Sequence, residues 1–329
     1  MPLVSVIMPS YNHDRYISEA IESVLNQTFG DFELIIIDDA SKDKSKEIIE
    51  AYEAKDRRIR AFFHDENKGI ARTLNDGLEE AKGKFVAFFA SDDVWVKDKL
   101  EKQLEVLERS EDLVVWTEGL VIDGRGNPTG ELFTQRLSAS KRKKNGDIFE
   151  ELLKGNYICG SSVILKGENL KDIRYDEQLR YLNDYKLMVD LARRYQFYFI
   201  PEPLAMYRIH GRNTILSDRE KGWPKDRIMI GEYFLRKYGD EISNKVKSKI
   251  YLSIGGAHSH LGEREKAKHY VYRAIRLSPF DRANLVHIAF ALTAEDSHTR
   301  NLLRWCYQKY RGIKNERRNK NEPQIVDEK

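Results

Sequence analysis

LVSVIMPSYN, residues 3–12, decides the fold, because a short apolar run ends abruptly there in proline, serine, tyrosine and asparagine. Its first part, LVSVIM, is rich in β-branched residues, which is typical of a strand buried on both faces of a parallel sheet. Similar runs follow along the chain: ELIII (33–37), IRAFF (59–63), KFVAFF (84–89) and LVVW (113–116). This part of the chain therefore predicts a buried sheet.

Helical periods separate these strands. Apolar residues recur at helical spacing over 16–27, 44–52, 70–81 and 97–110. Strands that alternate with helices through short connections form βαβ units, so we predict an α/β fold with a mostly parallel, Rossmann-like open sheet flanked by helices. Ligands bind such sheets beyond the carboxyl ends of the strands. The residues that directly follow each strand are therefore the candidates for function.

Composition limits the class of protein. The 329 residues are 41% apolar and suffice for about two domains. The net charge of +3 is too small for a dedicated nucleic-acid-binding protein. Cys159 and Cys306 are far apart, which suits a reducing compartment. No basic segment precedes the first apolar run, and no run approaches the ~20 residues of a membrane span. We expect a cytoplasmic protein, at most peripheral at the inner face of a membrane.

The strand and helix signals continue to about residue 215. SASKRKKNGD (138–147) predicts a mobile basic loop suited to act as a lid. Helices are predicted at 148–153 and 185–195, and strands at 162–165, 197–200 and 204–207. We therefore assign residues 1–215 to one α/β domain.

Residues 216–315 are predicted to form a helical region. The stretch 250–279 predicts two helices joined at LGE, similar to one tetratricopeptide hairpin. Such a hairpin cannot bury both faces alone, so it packs on the first domain or on a neighbouring copy in a homo-oligomer. Residues 301–320 contain seven Lys or Arg and one acid. This basic segment is either a contact with an anionic membrane or a solvated face. The polar tail 316–329 is predicted to be disordered.

Polar residues follow several predicted strands or begin a helix. They are PSYN (9–12), Asp38–Asp39, ASDD (90–93) and Asn183–Asp184. Each aspartate has an alternative interpretation as a helix N-cap, and Tyr11 as ordinary packing. Capping does not explain why several acids and an aromatic residue are placed at one edge of the sheet.

These motifs resemble, in order and spacing, those of the family 2 inverting glycosyltransferases with the GT-A fold. They are PSYN, IIIDDAS (35–41), NKGIARTLNDGLEEAKG (67–83), FFASDDVW (88–95) and LNDYKLMVDLARR (182–194). The resemblance covers residues 1–215. It implies transfer of a sugar from a nucleotide-diphosphate donor, chiefly a UDP-sugar, to an acceptor hydroxyl of a glycan, a polysaccharide or a lipid-linked oligosaccharide.

The resemblance also implies a donor site. Tyr11 would stack on uracil and Asp39 would bond to its edge, in keeping with the chemistry of an aromatic face and a carboxylate. Pro9 and Ser10 would shape the turn beneath the base, and Asp38 would orient the loop. Ribose and diphosphate contacts fall on Asn67, Gly69 and Arg72.

A leaving diphosphate needs a divalent cation, Mn²⁺ or Mg²⁺, held by oxygen ligands. The matching motif gives Asp92 and Asp93. We favour Asp93 as the direct ligand and Asp92 as the sugar or ribose contact, with the exchanged roles left open. The family commonly has another acid where this chain has Ala90, which makes metal dependence less certain.

Inversion requires a base that removes the acceptor's proton. Asp184 matches the second acid of the family's ED-type motif, with Asn183 in place of the glutamate, and Asp176 and Asp190 are rivals. Several relatives have a segment similar to YRIHGRNT (207–214) that closes over the diphosphate. The resemblance therefore implies that His210 contacts the metal or a phosphate, and that Arg212 pairs with the negative charge of the phosphates.

Two other functions compete with glycosyl transfer. A nucleotidyltransferase uses a similar sheet, but its phosphate-binding loop is rich in glycine and Lys or Arg, and PSYNHD (9–14) is not. An inactive scaffold that binds partners through the helical hairpin is supported by Ala90 and Asn183.

Overall fold

The computed structural model describes residues 1–211 and 222–278. The chain divides into two compact units, Met1–Asp226 and Arg227–Lys329. The domain boundary predicted near residue 215, Arg212, and the predicted basic segment and polar tail lie outside the described residues. Across the described ranges, no helix combines the length and apolar character needed to span a bilayer.

The first unit alternates strands and helices. Its strands are β1 Val4–Ser10, β2 Phe32–Asp38, β3 Ile59–Phe63, β4 Phe85–Phe88, β5 Val94–Trp95, β6 Val114–Ile122, β7 Pro128–Leu132, β8 Ile164–Lys166 and β9 Phe197–Arg208. Its helices are α1 Ile17–Leu25, α2 Ser45–Glu53, α3 Ile70–Glu80, α4 Lys99–Arg109, α5 Phe133–Arg136, α6 Phe149–Leu152 and α7 Asn183–Ala192. Helix α8, Gly222–Tyr238, contains the boundary between the units.

The strands form one sheet with the order β3-β2-β1-β4-β8-β6-β9-β5, and β7 pairs with β6. The first four of these strands are parallel, and β6 is also parallel to β9. The pairs β4–β8, β6–β8 and β5–β9 are antiparallel. The α/β fold with flanking helices is therefore confirmed, and the sheet is mixed beyond β4.

The core explains why the central strands are apolar throughout. Every residue of β2 is buried, and so is nearly every residue of β1. Helix α1 packs Ile17, Ala20, Ile21 and Val24 into the same core. Both faces of β1 and β2 are thus covered, as the unbroken apolar runs predict.

The structure differs from the predicted elements in the second half of this unit. The strands predicted at 197–200 and 204–207 are one strand, β9, because its pairing with β6 continues through two register irregularities. The loop 138–147 is tied to the sheet: Trp116 Nε1 donates to the Lys144 carbonyl, Tyr157 Oη to the Lys143 carbonyl, and the Phe199 N–H to Asn145 Oδ1. These bonds do not fit the predicted mobile lid.

The second unit contains a pair of helices, α9 Asn244–His260 and α10 Arg264–Leu277. They meet closely at Gly255, where an added Cβ would lie 3.1 Å from Val271 Cγ2 and 3.2 Å from the Ala267 carbonyl oxygen. Gly255 therefore lies at the contact between the two helices.

Candidate active site

The candidate site residues converge because the strands that carry them are parallel. Ser10, at the end of β1, is in register with Asp38, at the end of β2, and Ile7 of β1 is in register with Phe88 of β4. The segments that follow these three strands therefore meet at one edge of the sheet. The Asp39 N–H donates to the Ser10 carbonyl at 2.8 Å and joins two of them.

The segment after β1 presents an aromatic ring to solvent. Tyr11 is 44% exposed, which is unusual for a large aromatic residue beside a core and leaves its ring free to stack. Ser10 Oγ is buried without a hydrogen-bond partner among the described residues, and Asp38 accepts from Ser41 N–H and Oγ. Asp38 therefore orients the loop, whereas Tyr11 faces outward.

The carboxylate of Asp39 gathers the loop that precedes α3. Its Oδ1 accepts from the Lys68 N–H at 2.7 Å, and its Oδ2 accepts from the Gly69 N–H at 2.9 Å. Asn67 Nδ2 lies 3.3 Å from the Asp39 carbonyl. Gly69 has φ +85, a left-handed conformation that favours glycine. Asp39, Asn67 and Gly69 are thus brought together in one loop region, and their contacts with a donor remain a prediction.

Arg72 lies on α3 in ion pairs. Its guanidinium is 2.8 Å from Asp76 and 3.6 Å from Glu177, and the side chain is 41% exposed. Asp76 and Glu177 compete with a phosphate for this guanidinium. A contact between Arg72 and the diphosphate remains a prediction.

A cluster of three potential metal ligands, His13, Asp92 and His210, lies at the same edge of the sheet. His210 Nε2 is 2.9 Å and His13 Nε2 is 4.0 Å from Asp92 Oδ2, and the candidate ligand atoms lie within 4.8 Å of one another. Ser91 Oγ is 2.8 Å from His13 Nδ1, and in the tautomer with the hydrogen on Nδ1 the lone pair that can bind a metal is on Nε2. Burial opposes the charge on Asp92, but the hydrogen bond with His210 and the neighbouring His13 lower its pKa.

Asp93 faces the protein interior instead. Its Oδ1 accepts from the Arg208 N–H at 2.9 Å, and its Oδ2 accepts from Ser161 Oγ at 2.5 Å. Burial and the adjacent Asp92 charge raise the pKa of Asp93 to about 8. The sequence favours Asp93 as the direct ligand, but in the structure His13 and His210 lie around Asp92. The exchanged assignment, which the sequence left open, fits the structure better.

Asp184 is the second residue of α7, whose N-cap residue is Leu182. Its Oδ1 accepts from the Tyr185 N–H at 2.6 Å, and Asn156 Nδ2 donates to Oδ2 at 3.2 Å. Burial raises the pKa of Asp184 to about 6. With this pKa, the carboxyl of Asp184 is well suited to accept a proton near neutral pH.

The turn before α7 is held by Asp226, which accepts from the N–H groups of Tyr181 and Leu182.

The rival acids are engaged by one lysine. Lys186 Nζ lies 3.8 Å from Asp176 and 3.1 Å from Asp190. The carboxylate of Asp184 is instead bonded to the Tyr185 N–H and to the Asn156 amide. Asp184 is therefore the best candidate base of the three.

Sequence reasoning missed several residues of this region. They are His13, His64, Asn156 and Asp226. His13 directly follows PSYN and His64 directly follows β3, so their positions after parallel strands were a usable signal. Asn156 and Asp226 lie in segments whose placement only the tertiary structure shows.

Solved structures with a similar fold support the fold class. S. aureus TarS 1-349 in complex with UDP-GlcNAc has a TM-score of 0.66 at 18% identity, covering 93% of this chain and 91% of that chain. The mannosyltransferase PcManGT from Pyrobaculum calidifontis, in complex with GDP-Man and Mn²⁺, has a TM-score of 0.53 at 16% identity, covering 92% and 83%. At these identities the likeness shows the shared fold, which is of the GT-A class.

Sequence relatives define the family more narrowly. Residues 5–167 match the model of glycosyl transferase family 2. An uncharacterized glycosyltransferase of Methanocaldococcus jannaschii is 35% identical over 224 residues, 67% of this chain and 75% of its own. TuaG of Bacillus subtilis, named for teichuronic acid biosynthesis, is 35% identical over 232 residues, 70% of this chain and 88% of its own. The chain belongs to glycosyltransferase family 2 and is a transferase enzyme, as the sequence predicts.

Proposed function

We propose that this enzyme transfers a sugar, with inversion, from a UDP-sugar to a hydroxyl of a glycan, a polysaccharide or a lipid-linked oligosaccharide. The observation that carries the proposal is the placement at one sheet edge of an exposed Tyr11, an anchored Asp39 and the cluster of Asp92, His13 and His210. These groups match the base and the diphosphate of such a donor. Inversion is typical of the family.

The metal cluster suits Mn²⁺ better than Mg²⁺. Two imidazole nitrogens and one carboxylate oxygen form a donor set that transition metals accept, whereas Mg²⁺ prefers oxygen ligands. His13, His210 and Asp92 would hold the ion, which when bound would neutralise charge on the departing diphosphate. The Mn²⁺ of the Pyrobaculum calidifontis structure supports this choice.

The protein's own groups supply the rest of the reaction. Asp184 Oδ accepts the proton of the acceptor hydroxyl while the new bond to the anomeric carbon forms. The bond between that carbon and the diphosphate breaks, and the diphosphate leaves with the electron pair. Asn156 fixes the direction of the Asp184 carboxylate through its hydrogen bond to Oδ2.

A panel of UDP- and GDP-sugars tests this proposal. Each compound is incubated with the protein and Mn²⁺, and both thermal shift and donor hydrolysis are measured. A ligand at ~100 times its dissociation constant stabilises the fold by about 2.7 kcal/mol. A UDP-sugar that binds and is hydrolysed would support the proposal. Binding without hydrolysis or transfer would favour the inactive scaffold, which the departures at Ala90 and Asn183 favoured from sequence.

Tyr11→Ala is expected to weaken UDP binding by about 1–2 kcal/mol, because stacking area on the base is lost. The melting temperature should hardly change, since the ring is 44% exposed. Tyr198→Ala is the matched control, because Tyr198 is 42% exposed and lies at the end of β9 opposite to His210. Equal UDP affinity of Tyr11→Ala and wild type in calorimetry would remove Tyr11 from the donor site.

The pH dependence follows from Asp184. Its pKa is raised to about 6, so the carboxylate is available above that pH and is lost as the pH falls through it. We therefore expect kcat/KM to decline below about pH 6. Calorimetric UDP binding over the same pH range separates this effect from a change in donor binding. The role of Asp184 would be contradicted if kcat/KM did not decline at low pH, or if weaker donor binding explained the whole decline.

A further inference from the structure

His64 is clamped between two carboxylates at the end of β3. Its Nδ1 lies 2.8 Å from Asp39 Oδ1, and its Nε2 lies 2.9 Å from Asp76 Oδ2. The ring is 9% exposed, and the His64 N–H donates to the Asp38 carbonyl at 2.9 Å. Both ring nitrogens face carboxylate oxygens, which accept hydrogen bonds, so we assign each nitrogen as a donor to the carboxylate beside it.

The hydrogen bonds at Asp39 leave little capacity for another donor. A carboxylate offers about four acceptor positions, two on each oxygen. Oδ1 accepts from both Lys68 N–H and His64, and Oδ2 accepts from Gly69 N–H. The side chain of Asp39 is only 5% exposed. One acceptor position, on Oδ2, therefore remains for a ligand.

The number of free positions matters because nucleobases differ in their N–H groups. The pairing edge of uracil carries a single N–H between two carbonyls. The pairing edge of guanine carries two adjacent N–H groups, which a carboxylate satisfies only with two acceptor positions. The shared fold does not decide this choice, since structures of this class contain either UDP-GlcNAc or GDP-Man.

We propose that His64 determines nucleobase specificity: by filling the second position on Asp39 Oδ1, it restricts the carboxylate to one N–H and selects uracil over guanine. The inference rests on the proposed function, in which Asp39 reads the edge of the base. A guanine bound here would leave one N–H without a partner, and burying an unpaired donor costs affinity by roughly tenfold. Asp76, held by Arg72 at 2.8 Å, keeps the imidazole aimed at Asp39.

Two substitutions separate this role from simple packing. In His64→Asn the amide nitrogen takes the place of Nδ1, so the donor to Asp39 is kept and the one to Asp76 is lost. In His64→Gln the amide nitrogen takes the place of Nε2, so the donor to Asp76 is kept and Asp39 Oδ1 is released. Each variant loses one hydrogen bond, and a purely structural role predicts similar effects from both.

The measurement is the ratio of dissociation constants for GDP and UDP, obtained by calorimetry with Mn²⁺ in wild type and both variants. We expect wild type to prefer UDP by roughly tenfold or more. His64→Asn should keep this ratio within about twofold, and His64→Gln should lower it about fivefold or more. Similar ratios in both variants, or a wild type that binds GDP as well as UDP, would overturn the inference while leaving glycosyl transfer intact. A wild type that binds neither nucleotide would overturn the proposed function as well.

Discussion

Replacing Asp184 with asparagine is expected to lower kcat by roughly 10²–10⁴-fold, while the affinity for the donor remains unchanged. The amide keeps the shape of the side chain but cannot accept the proton of the acceptor hydroxyl. Donor affinity is unaffected because the base acts on the acceptor side of the anomeric carbon. Turnover with an acceptor and calorimetric UDP binding are measured on the same preparation.

Stability distinguishes this role from helix capping. Asp184 Oδ1 accepts from the Tyr185 N–H in the first turn of α7, a bond that asparagine can also make, and its folded pKa of about 6 exceeds the usual value of 3.8. Because folding raises this pKa, the ionised carboxylate destabilises the fold increasingly as the pH rises from 3.8 to about 6 and fully above it, so Asp184→Asn should have an equal or higher melting temperature at pH 7. A lower melting temperature with nearly normal turnover would support capping instead.

Asp176→Asn is the matched control for Asp184→Asn. Asp176 is the rival acid in the same region, partly exposed and paired with Lys186 at 3.8 Å. Its loss should change turnover by no more than a few-fold. A large fall in turnover for Asp176→Asn, together with a small one for Asp184→Asn, would transfer the catalytic role to Asp176.

The sequence predicts the fold well where local patterns decide it. The apolar runs of β1 and β2 are buried on both faces, so their periodicity and their placement agree. Local patterns do not specify which distant strands pair. The antiparallel insertion of β8 between β4 and β6 depends on long-range contacts, and no repeat in the sequence indicates it.

The site was predicted only in part, for a similar reason. Asp39 and Asp92 were predicted because each follows a strand in a recognisable motif. The direction of the Asp93 side chain was not predicted, because it depends on Ser161 and Arg208, residues more than sixty positions away that bond to it in the interior. His13 and His64 were missed because the carboxylates they contact, Asp92 and Asp39, follow other strands of the sheet and are brought to them only in the folded chain.

Asp92→Asn is expected to abolish the Mn²⁺-dependent part of UDP affinity and to lower turnover by roughly 10²-fold or more. The substitution removes the single carboxylate of the cluster with His13 and His210, and a neutral amide holds a divalent cation weakly. UDP binding in Mn²⁺ and in chelator, compared by calorimetry, gives the metal-dependent part directly and requires no turnover.

Three further variants show whether the cluster acts as a unit. His13→Gln and His210→Gln should each reduce the difference between Mn²⁺ and chelator, because each removes one imidazole ligand. Asp93→Asn should preserve that difference, since the Asp93 oxygens bond to Ser161 and Arg208. If Asp93→Asn abolishes the effect of Mn²⁺ and Asp92→Asn does not, the ligand is Asp93 and the side-chain directions found here do not describe the loaded enzyme. If wild type binds UDP equally in Mn²⁺ and in chelator, donor binding does not depend on this cluster holding a metal.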